Sequence, residues 1–256
     1  MHSKSSDRNR PTVLVTGASS GIGQATAVEL GKQGYAVAAH YFHNEKGVQE
    51  TLQKIGEGGG EAISVKADVR DKTEVEKMVG AVLEAFGTID VLVNNAGSLV
   101  ARVPLLEMTQ EYWNEVFALN VNSVFYCTQA VARIMAMKKV GVIVNVSSIA
   151  GRNGGGPGAI AYASAKGAVL TFTKGLAKEL APYGIRVNGV APGVILTPFH
   201  ERFTNAEQMK RMVDVIPLKY AGTPEETATV IAFLASPGSR YLTGETIEVN
   251  GGLLMD

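Results

Sequence analysis

Along this chain, short apolar runs rich in β-branched residues alternate with longer stretches whose apolar positions recur every three or four residues. The short runs read as strands: TVLVT at 12–16, AVAAHY at 36–41, EAISVKAD at 61–68, DVLVNN at 90–95, GVIVNVSS at 141–148, IRVNGVAP from Ile185 and ETIEVN from Glu245. Helical spacing covers ATAVELGKQG from Ala25 to Gly34, VEKMVGAVLEAFG up to Gly87, a long stretch around Asn120, and Tyr162 to Leu180, where Pro182 and Gly184 mark the stop. The glycine cluster GEGGGE at 56–61 falls between a helix and a strand and reads as a loop. Thr197 to Glu226 is the main irregular segment, punctuated by Pro198, Pro217, Gly222 and Pro224. A long excursion after a strand end reads as a lid or substrate loop.

Strands alternating with helices predict an α/β fold, a doubly wound parallel sheet of about seven strands with helices on both faces. No repeat and no Pro- or Ser-rich linker interrupts the pattern, so residues 11–256 read as a single domain. The first ten residues, MHSKSSDRNR, are polar and read as a flexible lead-in without the apolar region of a signal peptide. Apolar residues make up 46% of the 256, enough for a sizeable core. The 24 basic and 24 acidic residues cancel, which argues against the basic footprint of a nucleic-acid binder. No apolar run is long enough to span a bilayer. Cys127 is the single cysteine and sits in an apolar-periodic stretch, so it reads as a small buried hydrophobe. A chain that cannot form an internal disulfide fits a reducing compartment, and the cytoplasm is the simplest location. His2, His40, His43, His200 and Cys127 show no metal-ligand spacing, so no metal is expected.

In an open α/β sheet, ligands sit beyond the carboxyl ends of the strands. Unusual residues cluster there at Gly17–Gly23, Asp68–Val69, Asn94–Gly97, Ser147–Ser148 and Pro192–Gly193, and they should converge in one crevice. TGASSGIG at 16–23 follows the first strand and opens the first helix. Glycine permits a tight turn and close approach of a phosphate, and a helix N-terminus favours an anion. The same stretch also matches G-x-S-x-G, the nucleophile elbow of a hydrolase. That reading is set aside because no histidine lies near the C-terminus and no earlier strand exists to build an oxyanion hole. Tyr162 and Lys166 lie four apart and share a helix face. An ammonium there would lower the phenol's pKa toward the useful range, and Ser148 could bond a substrate oxygen. A tyrosine packed along a lysine stem has the same spacing, so the pair alone decides little.

With these residues in hand, the chain resembles a short-chain dehydrogenase/reductase from about Thr12 to its end. The motifs recur in order: TGASSGIG, Asp68-Val69, NNAG at 94–97, Asn120, Ser148, Tyr162-Ala-Ser-Ala-Lys166 and PGVILT at 192–197. The resemblance implies a Rossmann fold, a catalytic domain that transfers hydride with a nicotinamide dinucleotide, and frequent assembly as a homotetramer. It implies Tyr162 as acid/base, Lys166 lowering its pKa and holding the nicotinamide ribose, and Ser148 polarising the carbonyl. Asn120 would hold a water linking Lys166 to solvent. Gly17, Ser19, Ser20, Gly21, Ile22 and Gly23 would bend around the cofactor. Asp68 and Val69 would contact adenine, and Asn94 with Ala96 and Gly97 would flank the adenosine ribose. Ile195 and Thr197 would hold the carboxamide and pyrophosphate, with Pro192 and Gly193 beside them. Two departures stand out: Ser147 duplicates Ser148, which keeps the family spacing to Tyr162, and Asn250 stands where many relatives carry aspartate.

An acidic residue usually ends the second strand of an NAD enzyme. Here that strand ends His40-Tyr41-Phe42-His43-Asn44, with Tyr41 in the acid's place. NADP(H) is therefore favoured, with His43, Asn44 and Lys46 near the extra phosphate. NAD(H) is the alternative, because the segment has no arginine and Ser20 replaces the basic residue of many NADP(H) relatives. In the segment TPFHERFTNAEQMKRM, His200 and Arg202 could meet a polar or anionic substrate or face solvent, Phe199 and Phe203 could pack against it or simply close the lid, and Arg152, after Ser148, is a case like His200. The resemblance divides between 3-oxoacyl-[acyl-carrier-protein] reductases and sugar or uronate reductases, so the substrate is a small or carrier-bound carbonyl compound. A dinucleotide sensor without chemistry is the competing class; the retained Ser148, Tyr162 and Lys166 argue against it.

Overall fold

A computed structural model describes residues 10–255; the expected lead-in, apart from Arg10, and Asp256 lie outside the described residues. The strands are β1 (Thr12–Val15), β2 (Ala36–Tyr41), β3 (Glu61–Lys66), β4 (Val91–Asn94), β5 (Gly141–Val146), β6 (Ile185–Pro192) and β7 (Thr246–Val249). The α-helices are α1 (Gly21–Lys32), α2 (Glu45–Glu57), α3 (Lys72–Phe86), α4 (Gln110–Phe117), α5 (Ser123–Lys138), α6 (Ala150–Asn153), α7 (Ile160–Leu180), α8 (Pro198–Phe203), α9 (Ala206–Val215) and α10 (Pro224–Ala235). The seven strands form one sheet in the order β3-β2-β1-β4-β5-β6-β7, and every pairing is parallel. The chain steps outward from β1 to β3, then returns to pair β4 with the other edge of β1. That reversal opens a crevice at the carboxyl ends of β1 and β4.

The strands read as continuous apolar runs because both faces of the sheet are covered. Their period of two sends Val13, Val15, Val37, Val91 and Val93 into one core with Leu30 of α1, Ile55 of α2 and Ile231 of α10. Leu14, Ala38, Leu92 and Ile143 face the other way, into a core with Val79 of α3, Val131 of α5 and Ala177 of α7. Leu92, on central strand β4, is fully buried. Leu92→Ala removes its contacts and leaves a void that rigid strands cannot close. It should destabilise the protein by about 3 kcal/mol, read as a lowered urea midpoint at unchanged slope.

Three segments differ from the sequence expectation. The first helix begins at Gly21, not Ala25, so the second half of the glycine turn is already helical. The long helix around Asn120 is α4 and α5 joined by a π-helical segment, Ala118–Asn122. The segment expected to be irregular, 197–226, contains α8 and α9 and the start of α10. Pro198 opens α8 at a position where its missing N–H costs nothing, and Asn205 and Gln208 form a capping box for α9. The prolines and glycines that suggested a loop punctuate these short helices.

Candidate active site

A crevice of about 810 Å³ opens at the carboxyl ends of the strands. Gly17 to Gly23, Tyr41, His43, Asn44, Asp68, Val69, Ala96, Gly97, Ser148, Tyr162, Lys166, Pro192, Gly193, Ile195 and Thr197 reach it, apart from Ala18 in the turn. Five expected residues do not line it: Lys46, Asn94, Asn120, Arg152 and Phe203.

The turn after β1 follows from its glycines. Gly17 has φ +67°, a left-handed backbone that favours glycine. A Cβ on Gly23 would collide with the Gly17 carbonyl and the Asn95 amide, so turn and helix can close up only with glycine there. Ser20 occupies the N-cap position of α1 but makes no side-chain capping bond. Asn44 is committed elsewhere: its Oδ1 accepts from Gly47 N–H at 3.0 Å, and its Nδ2 donates to the Ser19 carbonyl at 3.2 Å. It braces α2 against the turn. Asp68 is likewise engaged: Arg70 donates to both its carboxylate oxygens, with Nη2–Oδ2 at 2.6 Å. That pairing holds the carboxyl below the usual range. The same guanidinium lies 5.6 Å from the Phe42 ring centroid. Sequence reasoning missed Arg70 because nothing in its spacing tied it to the end of β2.

Asn94 was expected beside a ribose. Instead it is buried within the sheet, donating 2.9 Å bonds from Nδ2 to Thr128 Oγ1 and Asn145 Oδ1. Asn145 passes the chain on to Thr173 Oγ1 at 2.9 Å. The next residue, Asn95, faces the crevice and donates to the Thr16 carbonyl. Asn120 is fully buried in the π-helical segment. Its Nδ2 donates to the Ser98 and Val116 carbonyls and its Oδ1 accepts from Ser98 N–H. It braces the loop after β4 from behind. A Cβ on Gly97 would lie 2.7 Å from Asn120 Oδ1 and 3.1 Å from Lys166 Nζ, so the loop can sit against both groups only because that residue is glycine.

At the other end of the crevice, α7 brings Tyr162 and Lys166 to the same side, with Lys166 Nζ 5.7 Å from the phenol ring centroid. Lys166 donates to the Val146 carbonyl at 2.9 Å, which pins it to the end of β5. Ser147 and Ser148 separate cleanly: Ser147 is buried and donates to the Lys166 carbonyl, while Ser148 faces Tyr162. Ala150 N–H donates to Ser148 Oγ at 3.1 Å, which leaves the serine proton to be given away. The electrostatic balance differs from the sequence expectation. Burial pushes the Tyr162 phenol up to about 12, against a smaller opposing pull from Ser148. Burial also pushes Lys166 down to about 8. Desolvation outweighs the attraction of ammonium for phenolate.

Helix α8 closes this end. Phe199 packs 5.8 Å from the Tyr162 ring centroid and 5.1 Å from Phe203. Arg102, another residue sequence reasoning missed, donates to the Phe203 and Pro157 carbonyls, each at 3.0 Å, and ties α8 to the loop before α7. His200 bonds Thr204 Oγ1 through Nδ1, and burial lowers its pKa. Arg152 reaches away to Glu248 Oε1 at 2.7 Å. Asn250, the departure near the C-terminus, donates to Glu248 and Leu254 and lies outside the crevice. Cys127 is buried. Among the described residues no cluster of His, Cys, Asp or Glu could hold a metal, and no helix is long and apolar enough to cross a membrane.

Comparison with known proteins agrees with this geometry. The family described as enoyl-(acyl carrier protein) reductase matches residues 17–254. A 3-oxoacyl-[acyl-carrier-protein] reductase of Synechocystis sp. is 45% identical over 94% of this chain and 96% of its own. A 3-oxoacyl-[acyl-carrier-protein] reductase of Staphylococcus epidermidis is 39% identical over 95% of this chain and 99% of its own. The crystal structure of levodione reductase superposes with a TM-score of 0.90 at 33% identity, covering 94% of this chain and 96% of that one. The fold is therefore the Rossmann fold anticipated from the strand pattern, and the chain belongs to the short-chain dehydrogenase/reductase family, as an oxidoreductase acting on alcohol and carbonyl groups.

Proposed function

We propose that the protein is an NADP(H)-dependent reductase that interconverts a carbonyl and a secondary alcohol, with Tyr162 as acid/base. The observation that carries this reading is the convergence of Ser148, Tyr162 and Lys166 at one end of a crevice whose other end is the glycine turn. The residues fit a dinucleotide. One crevice runs from the glycine turn to Tyr162, Gly17 and Gly23 keep the turn bare, and Ser20 leaves the N-terminus of α1 uncapped by its side chain. When bound, the nicotinamide supplies or accepts hydride at the carbonyl carbon.

The chain's own residues manage the oxygen and the proton. Ser148 donates a hydrogen bond to the carbonyl oxygen, and Tyr162 gives that oxygen its proton as charge builds there. Lys166, cationic below about pH 8, sits behind the phenol and favours the phenolate left behind. Phe199, tilted against Tyr162 and backed by Phe203, keeps water away. Asn120, with its amide spent on Ser98 and Val116, acts by holding the loop at Gly97 in place.

At the adenosine end, β2 finishes without a carboxylate, and Arg70 neutralises Asp68. Asp68 and Glu115, the acids that line this end of the crevice, both pair with Arg70, and His43 is exposed beside them. Tyr41→Asp restores the repelling charge. It should weaken NADPH at least about tenfold and leave NADH unchanged or improved, read by fluorescence titration of both. The carbonyl substrate is a 3-oxoacyl thioester, in line with the names of the relatives. A polar sugar-acid carbonyl is the second reading, favoured by Arg102, His200 and Arg202 lining the Tyr162 end. A cytoplasmic homotetramer goes with this reading through family resemblance. The test is titration with NADPH and NADH, then turnover of a 3-oxoacyl thioester against a 2-oxo sugar acid. Tight NADPH binding with thioester reduction is expected; binding of neither dinucleotide would overturn the reading.

A further inference from the structure

One buried polar side chain in the crevice wall has no part in the chemistry above. His40, the fifth residue of β2, is only 2% exposed, and its ring bonds on both sides. Gly17 N–H donates to Nδ1 at 2.9 Å, and Nε2 lies 3.0 Å from the Ala67 carbonyl. An N–H only donates and a carbonyl only accepts, so this pair fixes the neutral tautomer with its proton on Nε2. The backbone of the same residue takes a second turn amide: Ala18 N–H donates to the His40 carbonyl at 2.8 Å. One residue thus spans from the first two amides of the glycine turn to Ala67, the residue before Asp68 and Val69.

We propose that His40 is a positioning residue for dinucleotide binding, joining the glycine turn to the Asp68–Val69 segment as a neutral ring, and that its protonation frees Gly17 and weakens binding in acid. The inference rests on the reading of the turn as a phosphate site. A ring protonated on both nitrogens has two donors, and Gly17 N–H offers it no acceptor. The bond is therefore lost, and the turn that Gly17 opens is no longer held in place.

The surroundings support a ring that stays neutral near pH 7. From β1 and its turn, Thr16 to Ser20, no ionisable side chain faces it. Past β3 the nearby charge is Asp68, which Arg70 already pairs. Along β2 the following residues are Tyr41 and Phe42, with exposed His43 beyond. Burial lowers the ring's pKa, outweighing the opposing effects of the Ala67 carbonyl and Asp68. The transition therefore falls on the acid side of the usual histidine range. The unfolded chain takes up the proton more readily there, so the fold also loses stability as pH falls, and folding must be checked at each pH by circular dichroism.

The experiment compares NADPH affinity by fluorescence between pH 7.5 and 5.5 in the wild type and in His40→Asn. Asparagine keeps an acceptor oxygen near the place of Nδ1 and does not titrate. Because the ring's transition lies on the acid side of the usual histidine range, wild-type affinity should fall about twofold or more further than that of His40→Asn by pH 5.5. All other groups, the 2′-phosphate included, are the same in both proteins, so the difference between the curves belongs to His40. Parallel curves would overturn the inference. A second readout is independent of the cofactor: in cofactor-free wild type, acidification should shift the Gly17 amide resonance together with the His40 ring nitrogens. A Gly17 amide that ignores the ring's titration would overturn the inference even if NADPH bound well. Absence of NADPH binding by wild type at any pH, with the coupled shift present, would count against the proposed function alone.

Discussion

Tyr162→Phe should lower kcat at least about a thousandfold while NADPH affinity stays within about twofold. The substitution keeps the ring and therefore its packing near Phe199 at 5.8 Å; only the proton donor is removed. Its high pKa is consistent with the role. With the phenol pushed up to about 12, Tyr162 is fully protonated at neutral pH and ready to donate during carbonyl reduction. Alcohol oxidation needs the phenolate instead, and the buried site makes that form scarce. Reduction should therefore outpace oxidation at neutral pH, and oxidation should rise with pH. Stopped-flow turnover with NADPH and a carbonyl substrate checks the first effect, and fluorescence titration checks the second. Full turnover by the Phe variant would remove Tyr162 from the chemistry.

The parallel sheet was legible because strands covered on both faces must be apolar throughout, as TVLVT and GVIVNV are. The convergence of motifs at the strand ends followed from topology. Asn95 lines the crevice and Asn94 does not, and strand parity explains why. Val91 and Val93 face one core and Leu92 the other, so Asn94 must share the side of Leu92, and Asn95, beyond the strand's end, is left to reach the crevice. That alternation was present in DVLVNN. The capping box Asn205-x-x-Gln208 was also present, but the prolines around it carried the reading toward a loop. His40 had a signal as well, a polar residue in the middle of an apolar strand. Arg70 stands two residues from Asp68, but its reach to Phe42 and Glu115 had no signal, and the partners of Arg102 are carbonyls that only the fold brings near. The Tyr162 pKa was also beyond reach of spacing. Four residues along a helix place the lysine near the phenol, but the degree of burial decides which effect prevails.

Lys166→Met should produce a protein that is more stable and nearly inactive. Methionine approximates the lysine stem and removes the charge, and the charge is what burial penalises. The shift from 10.5 to about 8 corresponds to a cost of about 3 kcal/mol for keeping the ammonium inside the fold. Below pH 8 both the folded and unfolded chains hold the proton, so the fold bears this cost in full. Between pH 8 and 10.5 the folded chain releases its proton while the unfolded chain retains it, and wild-type stability gains relative to the variant. The difference in melting temperature should thus be largest at neutral pH and shrink toward pH 10. Activity should run the opposite way: wild-type kcat/KM for reduction falls as pH rises through about 8, while the variant is poor throughout and lacks that limb. NADPH affinity should also drop in the variant, because the proposed contact of the ammonium with the nicotinamide ribose is gone. A variant as active as wild type would remove Lys166 from the site. One no more stable than wild type would mean that the bond to the Val146 carbonyl offsets the cost of the buried charge.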